Sequence, residues 1–277
     1  MTAAHITALV ENTAAGRGIL GEHGLSFLID LDGHRILLDT GQGNAIRNNA
    51  QRLRISLSTI DTLVLSHGHY DHTGGVAALT ERTTPLPVYM HKDAMQPKFS
   101  RHADGTSQDI SMPSCSRSAL LNGAFDIRWT DGPREANSGV LVTGEIPRNT
   151  EYEDTGGAFF RDAACTEPDA IPDDQAVAVH TSNGVILLLG CAHAGTVNTM
   201  DYVAQLLGID HFQAVVGGMH LLHASHDRVR ATIEALRRYD VKIIGPCHCT
   251  GTRAFVEICR ALPDRCRSIT AGATIAV

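Results

Sequence analysis

The feature of this sequence that most constrains its fold is a polar loop, SHGHYDHTGG at 66–75, which follows an apolar or β-branched run at 62–65. That run predicts a buried strand, and a helical pattern begins directly after the loop. Within six positions the loop carries four side chains of the kinds that bind metals: His67, His69, Asp71 and His72. Imidazole suits zinc and iron, and a carboxylate adds a hard oxygen ligand. The loop is therefore a candidate metal site.

The order of these side chains predicts two metal positions. Residues i and i+2 of an extended loop point the same way, so His67 and His69 can share one metal. Asp71 and His72 follow where the chain turns, and the two glycines after them permit that turn, so this pair can reach a second metal. The alternative is a polar loop with ordinary histidines, which suits one isolated histidine better than four ligand-type residues in this order.

Further candidate residues follow other predicted strands. Apolar runs end at Asp39 (ILLDTGQG, 36–43), at Cys191 and His193 (GCAHAGTVN, 190–198), at His220 (VVGGMHL, 215–221) and at His248 (PCHCTG, 246–251). Strands that converge on one edge of the fold would bring these side chains to the loop. Each histidine also has a plainer explanation. His193, for example, can be a polar residue that opens the helix predicted at 196–207.

Together with EHGLSFLI (22–29), these motifs resemble the metallo-β-lactamase superfamily, and in particular the hydrolase-like branch that contains archaeal 7,8-dihydropterin-6-methyl-4-(β-D-ribofuranosyl)aminobenzene 5'-phosphate synthase. Alternating strands and helices indicate an α/β fold on their own. The resemblance, which extends over nearly the whole chain, implies a four-layer αβ/βα sandwich with metals at one edge of its two sheets. Because one scaffold hosts many chemistries, the resemblance specifies the fold better than the substrate.

The resemblance also implies a role for each candidate residue. His67, His69 and His193 would bind the first metal, and Asp71, His72 and His248 would bind the second. The expected cofactor is two Zn2+ ions, with Mn2+ or Fe2+ as alternatives. Asp39 would orient the metal loop, because a buried carboxylate that accepts an imidazole N–H fixes the ring and its tautomer. A turn-forming Asp at a strand end is the alternative for Asp39.

Cys191 departs from the superfamily pattern, in which most members have a bridging Asp at this strand end. A thiolate is a good zinc ligand, but cysteine is also among the most commonly buried residues. Cys191 is therefore either a soft ligand or a core residue beside an open coordination position, and a symmetric, hydroxide-bridged binuclear site is in doubt. Cys247 and Cys249 flank His248 but point away from it if that segment is extended, so we assign both to packing.

The predicted function is a metal-dependent hydrolase that breaks an ester, lactone, amide or phosphoester bond of a small molecule with a metal-activated water. Asp71 or His220 would donate a proton to the leaving group. Tyr70 would stabilise a developing oxyanion, or else pack under the loop. Three alternatives stay open. The first is the synthase reaction that the resemblance implies, in which a dihydropterin diphosphate condenses with a ribofuranosylaminobenzene phosphate and diphosphate is expelled. The others are oxygen or sulfur chemistry at iron, and a non-catalytic, ligand-binding member of the fold.

Composition limits the expected partners. The formal net charge of −7 argues against nucleic acid or a membrane surface, and leaves a small-molecule substrate. We expect no signal peptide, because the N-terminal residues show no basic region followed by an apolar run. The seven cysteines are odd in number and irregularly spaced, which suits a reducing cytoplasm better than a disulfide framework. The sequence does not determine the oligomeric state.

We expect one domain over residues 1–277, because no linker divides the chain. Two irregular segments, 92–135 and 147–172, are predicted to cover the active site, since long irregular segments in a compact domain are usually functional. The first segment contains four candidates for binding an anion, each of which fits a solvated surface equally well: Lys98, Arg101, His102 and Arg117.

Overall fold

Strands and helices alternate over residues 4–277, the part of the chain that this computed structural model describes. The strands are β1 (Ala4–Val10), β2 (Ser26–Leu31), β3 (His34–Leu38), β4 (Thr62–Val64), β5 (Leu86–Met90), β6 (Phe99–Arg101), β7 (Ser107–Asp109), β8 (Phe125–Trp129), β9 (Arg134–Asn137), β10 (Val140–Val142), β11 (Phe159–Phe160), β12 (Val177–Thr181), β13 (Gly184–Leu189), β14 (Ala214–Gly218), β15 (Ile243–Cys247) and β16 (Thr274–Ala276). The helices are α1 (Ile46–Arg52), α2 (Tyr70–Thr73), α3 (Ser114–Leu121), α4 (Thr196–Leu207), α5 (His226–Arg238) and α6 (Thr252–Ala261). Short 3₁₀ helices lie at Leu57–Thr59, Val76–Leu79, Lys92–Met95 and His248–Thr250.

Most strands belong to two mixed sheets. The first has the order β16-β1-β2-β3-β4-β5-β8 and the second β15-β14-β13-β12-β10-β9. In each sheet an antiparallel hairpin leads into parallel strands: β3, β4, β5 and β8 in the first, and β13, β14 and β15 in the second. Neighbouring parallel strands end at the same edge of a sheet. The loops that follow β4, β13, β14 and β15 are therefore brought together.

Three apolar clusters show that the fold has four layers. Successive side chains of a strand point to opposite faces, so Phe27 and Ile29 lie between the two sheets while Leu28 lies on the helix side of the first sheet. In the second sheet, Leu188 faces the inter-sheet cluster and Leu187 faces α4, α5 and α6. Because α1 and α3 cover the outer face of the first sheet, the architecture is the expected four-layer αβ/βα sandwich.

Several predicted elements are confirmed. Asp32-Gly33 between two apolar runs predicts a β-hairpin; this hairpin joins β2 to β3, and both residues have a positive φ, of 51° and 84°. The helix predicted at 196–207 is α4, and it ends at Gly208, whose φ of 64° is the left-handed conformation that commonly terminates helices. Two other helices are shorter than predicted. The stretch GNAIRNNAQRLRIS (43–56) predicts a helix over its whole length, but α1 covers only 46–52. The helical pattern at 75–82 forms only the 3₁₀ turn at Val76–Leu79.

The segment 92–135 is more regular than the sequence predicted, and that expectation was wrong. It contains β6, β7, α3 and β8. Strand β8 extends the first sheet beside β5, and Leu120 of α3 is buried against the helix-side face of that sheet. The sequence did not indicate these elements, because α3 is serine-rich and β8 is an edge strand with few buried side chains. The segment 147–172 forms a single two-residue strand, β11, within the described chain, so its irregularity is confirmed.

The two segments meet in a small third sheet of order β11-β6-β7. A disulfide joins Cys259 in α6 to Cys266. The expectation of reduced cysteines is therefore wrong for this pair, while the other five are free. None of the helices in residues 4–277 is both long enough and apolar enough to cross a membrane.

Candidate metal centre

The candidate site lies where the strands of both sheets end. Asp39 follows β3, Ala192 follows β13, His220 follows β14 and His248 follows β15, and each of these four residues has a positive φ, between 45° and 59°. Non-glycine residues seldom adopt this conformation, which costs about 1–3 kcal/mol where the surroundings impose it. The surrounding structure therefore holds these four residues in a backbone conformation that an unstrained loop would avoid. Such strain is common at functional sites, where it orients side chains toward one ligand.

The first donor group consists of His67, His69 and His193. Each offers one ring nitrogen, and these nitrogens lie within 4.8 Å of one another. All three residues are buried. His67 Nε2 is 2.9 Å from His69 Nδ1. His69 Nε2 and His193 Nε2 are buried without a hydrogen-bond partner in the described chain, which is unusual for polar atoms and indicates that the group is arranged for a ligand.

Hydrogen bonds set the tautomers of this group. The Ser66 hydroxyl donates to Asp39 Oδ2 at 2.6 Å, so its oxygen accepts from His67 Nδ1 at 2.9 Å. His193 Nδ1 donates to the carbonyl of Thr155 at 2.7 Å. Because each ring gives its Nδ1 proton to an outside acceptor, the Nε2 atoms of His67 and His193 carry lone pairs and face the centre of the group. Neutral imidazoles with inward lone pairs are what a metal requires.

The second donor group consists of Asp71, His72 and His248. Asp71 Oδ2 is 3.6 Å from His72 Nε2 and 3.4 Å from His248 Nε2, and the two nitrogens are 3.1 Å apart. His72 Nδ1 donates to Asp39 Oδ2 at 2.7 Å, and His248 Nδ1 donates to Asn12 Oδ1 at 2.8 Å. When both rings are neutral, both Nε2 atoms therefore carry lone pairs. Two lone pairs at this distance repel each other unless a proton or a metal cation lies between them.

The spacing of the second donor group fits a transition metal. Donors about 2.0–2.1 Å from a tetrahedral zinc ion lie about 3.3 Å from one another. The three distances within the group, between 3.1 and 3.6 Å, bracket that value. With the unpaired nitrogens of the first donor group, this spacing makes both groups candidate metal sites. The chemistry of the donors, imidazole with one carboxylate, suits zinc, iron or manganese without choosing among them.

The ionisation of the two donor groups differs. Burial lowers the pKa of His67 and His193 well below the ordinary histidine value, and neighbouring imidazoles lower it further. Burial also opposes the charged form of His72, but the carboxylates of Asp71 and Asp39 outweigh it and raise its pKa. Burial would likewise raise the pKa of Asp71, yet His72 and His248 hold it below its usual range. The second donor group therefore attracts positive charge, and its carboxylate stays ionised.

Cys191 lies between the two donor groups. Its Sγ is 3.2 Å from His72 Nε2, and it lies within 4.8 Å of donor atoms of both His67 and His72. Burial raises the pKa of this thiol well above its ordinary value. The position of Sγ suits a metal ligand. The raised pKa, which keeps the thiol protonated, suits the alternative of a core residue beside an open coordination position.

Cys249 corrects the assignment of both flanking cysteines to packing. Its Sγ is 3.6 Å from the carbonyl of Cys191, and it belongs to a group of possible donors with Cys191 and His248. The segment at His248 forms a 3₁₀ turn rather than an extended strand, so Cys249 turns toward the site. Cys247, the last residue of β15, stays in the inter-sheet core as predicted.

Tyr70 and His220 line the cavity beside the donor groups. The rings of His220 and His193 are 4.3 Å apart between centroids. Burial lowers the pKa of His220 to about 4, so this imidazole is neutral at pH 7. Burial raises the pKa of Tyr70 and Asp71 raises it further, which keeps the phenol protonated and able to donate a hydrogen bond.

The cavity has a volume of about 730 Å³, within the range of about 300–1,000 Å³ that small-molecule sites occupy. Apolar side chains from several elements form much of its wall: Ile110, Phe159, Leu222, Phe255 and Ile269. Arg101 and His102 also line it, as the sequence predicted for residues of the 92–135 segment. Arg117 is not among the lining residues of the described chain.

The structure contradicts the prediction that Lys98 could bind an anion. Its ammonium is buried and donates to Asp173 at 2.7 Å and to Asp169 at 3.1 Å. Asp173 in turn accepts from the backbone N–H of Gly68, inside the metal loop, at 2.7 Å. Burial alone would lower the pKa of Lys98, but the two carboxylates raise it. Lys98 thus ties the irregular segments to the metal loop and is not free to bind a substrate.

His23 is a site residue to which the sequence analysis gave no role. Its Nε2 is 3.3 Å from Asp71 Oδ2, and its ring lies 5.3 Å from that of His248 between centroids. It follows Glu22 in the EHG motif of a glycine-rich loop, more than 40 positions before the metal loop. A histidine in such a loop carries no strand-end signal, and so only the motif could have drawn attention to it.

Known proteins resemble this chain in sequence and in structure. A family model for the metallo-beta-lactamase superfamily matches residues 20–248. The 7,8-dihydropterin-6-methyl-4-(beta-D-ribofuranosyl)-aminobenzene-5'-phosphate synthase of Methanocaldococcus jannaschii is 31% identical, over 84% of this chain and 82% of that protein. A second protein of that archaeon, uncharacterized protein MJ0448, is 31% identical over 91% of this chain and 93% of that protein. The solved structure of Tm1679, a metal-dependent hydrolase of the beta-lactamase superfamily, has a TM-score of 0.84 and 27% identity, covering 99% of each chain.

Proposed function

The chain belongs to the metallo-β-lactamase superfamily, and we propose that it is a metal-dependent hydrolase of a small molecule with an ester, lactone, amide or phosphoester bond. The observation that carries this proposal is the pair of donor groups beneath one cavity, with orphaned His69 and His193 nitrogens in the first and facing lone pairs in the second. The similarity to Tm1679 supports the hydrolytic class. The small-molecule partner and the cytoplasmic location stay predictions.

The donor groups would each hold one metal ion. His67, His69 and His193 would hold the first, and the second would be held by Asp71, His72 and His248. Bound metals would supply a Lewis acid and would lower the pKa of a bound water toward neutrality. The protein prepares for this by lowering the pKa of the three histidines of the first donor group through burial, and by orienting four of the rings through Ser66, Asp39, Asn12 and Thr155.

The remaining residues would contact the substrate. Tyr70 keeps its proton and would donate a hydrogen bond to a developing negative oxygen. His220 is neutral at pH 7 and would contact the substrate or accept a proton, rather than act as an acid. Asp71 is ionised, so we assign it to the metal rather than to proton donation. These assignments narrow the roles that the sequence left open for the three residues.

The synthase reaction is a second candidate, which the relative from Methanocaldococcus jannaschii supports. A diphosphate-bearing substrate would favour several cationic side chains in the cavity. Arg101 is the one lysine or arginine lining the cavity among residues 4–277, and its guanidinium lies 4.9 Å over the ring of Phe160. Because Lys98 is held by Asp169 and Asp173, the cavity offers less positive charge than the sequence suggested. This favours hydrolysis.

Metal content and turnover of the His69→Ala variant test the proposal. We expect protein purified without added metal or chelator to hold about two ions per chain, and to hydrolyse at least one member of a panel of esters, lactones, amides and phosphodiesters. His69→Ala should lose metal from the first donor group and lose turnover. His180→Ala, which removes an exposed histidine from β12, is the matched control.

Two outcomes would contradict the proposal. Turnover that survives in His69→Ala would exclude catalysis by metal at the first donor group. Release of diphosphate from a dihydropterin diphosphate in the presence of the ribofuranosylaminobenzene phosphate, without hydrolysis of any panel member, would establish the synthase reaction instead.

A further inference from the structure

We propose that His23 is a fourth protein donor of the second donor group, so that this group is a closed metal site while the first donor group keeps an open position. The inference rests on the proposed function, because it takes a metal centre as its premise. It adds a residue to that centre and assigns different tasks to the two metal positions.

The distances place His23 with the group. Its Nε2 lies 3.3 Å from Asp71 Oδ2, which is as close as the nitrogen of His248 at 3.4 Å and closer than that of His72 at 3.6 Å. The donor atoms of His23, Asp71 and His248 all lie within 4.8 Å of one another. A tetrahedral zinc site needs donors about 3.3 Å apart. Asp71 therefore has three imidazole nitrogens at the spacing expected for donors that share one ion.

The backbone near His23 is fixed to the residues with which its side chain would cooperate. Leu25 N donates to the carbonyl of Asp71 at 3.2 Å. Gly24 has a φ of 150°, and a Cβ there would meet the same carbonyl. A glycine is therefore needed for the loop to approach Asp71 so closely.

Asn12 makes the corresponding connection to His248. Its Oδ1 accepts from Gly24 N at 3.2 Å and from His248 Nδ1 at 2.8 Å. The carbonyl of His23 itself accepts from Gln42 Nε2 at 2.8 Å. One loop is thus anchored directly to Asp71 and, through one amide, to His248. Such anchoring is characteristic of side chains that position metal ligands.

The number of donors separates the two metal positions. Structural zinc sites are typically closed by four protein ligands, whereas catalytic sites keep three and leave a position for water or substrate. With His23 the second donor group has four protein donors and the first donor group has three histidines. Substrate and water would therefore meet the metal of the first donor group. The side chain of His23 is 54% exposed and lines the cavity together with Asp71 and His248, so it would occupy the coordination position of the second metal that faces the cavity.

Titration of the metal-free protein with Co2+ or Zn2+ against a competing chelator tests the inference without an activity assay. We expect His23→Ala to keep one tight site and to lose at least about 10–100-fold in affinity at the other, because even loss of a residue that only orients a ligand costs that much. Added imidazole should restore part of the loss, and the visible spectrum of bound Co2+ should change in step. His223→Ala, which removes another histidine of the cavity wall, should bind both ions as the wild type does.

The outcomes separate this inference from the proposed function. Two ions bound by His23→Ala with wild-type affinity would overturn the role of His23 and leave the hydrolase proposal intact. An equal loss in His223→Ala would show that the cavity wall as a whole, rather than this donor, is responsible. A wild-type protein that binds no metal would overturn both. Equal thermal unfolding of the metal-free variants would exclude a folding defect as the cause.

Discussion

Asp39→Asn is expected to weaken metal binding at the second donor group while leaving the fold in place. The Asp39 carboxylate is fully buried and accepts three hydrogen bonds, from Ser66 N at 2.7 Å, from Ser66 Oγ at 2.6 Å and from His72 Nδ1 at 2.7 Å. An asparagine keeps one oxygen and replaces the other with an N–H₂ group that only donates. If the oxygen stays opposite Ser66 N, the new amide faces two donors.

The size of the effect follows from the tautomer of His72. With a donor beside Nδ1, the ring relieves the conflict by moving its proton to Nε2, which removes the lone pair that faces His248 and Asp71. Disruption of such an orienting partner costs about 10–100-fold in metal affinity, or about 1.4–2.7 kcal/mol. The first donor group should change less, because Ser66 Oγ can rotate and still accept from His67 Nδ1.

Competition with a chelator measures both affinities, and unfolding of the metal-free protein in urea measures stability. Asp61→Asn is the matched control, since Asp61 accepts one backbone hydrogen bond from Arg35 at 2.8 Å but is exposed and lies at the opposite end of the sheet strands. If Asp39→Asn binds its second metal as tightly as Asp61→Asn does, the tautomer of His72 is not set by Asp39, and the reasoning is refuted.

Two further predictions concern stability. Lys98→Met should destabilise the metal-free protein by about 3–5 kcal/mol in urea unfolding, because it removes the buried ammonium that Asp169 and Asp173 share and leaves Asp169 with Arg161 at 3.6 Å. A change as small as that of an exposed control such as Lys92→Met would contradict the ion-pair assignment. The stability of the metal-free protein should fall as the pH drops below the unfolded histidine pKa of 6.5, by about 1 kcal/mol per pH unit for each first-group histidine. Burial holds the pKa of these histidines low in the folded state, so in this pH range they take up protons only when the chain unfolds. Unfolding curves that coincide at pH 7.5 and pH 5.5 would contradict this pH dependence.

Local patterns were sufficient where a signal is contained in consecutive residues. The Asp32-Gly33 hairpin and α4 follow from turn chemistry and from a 3.6-residue apolar period, and the metal loop follows from four ligand-type residues in one short stretch. The layering of the two sheets came from the resemblance rather than from any local pattern, because periodicity shows which face of a strand is apolar but not which other strand covers it.

The missed features depend on residues that are distant in sequence. The charge of Lys98 is satisfied by Asp173, 75 positions later, so the same residue that looked like a surface cation is an interior anchor. Cys249 was misplaced because the chain after β15 turns instead of continuing as a strand. His23 joins Asp71 across 48 positions. No spacing rule connects such pairs, since only the folded sheets bring them together.

The metal donors and the cavity wall have different physical origins, and this limits what family membership can transfer. The donors follow strands whose last residues are buried on both faces, so a change there would disturb the core. The opposite wall comes from β6, β7 and β11, a small sheet whose residues are largely exposed and bury little. Such segments tolerate substitution at low cost in stability. A relative that shares 31% identity can therefore keep every donor and still accept a different substrate. The residues that contact the substrate are the ones whose substitution costs the least stability.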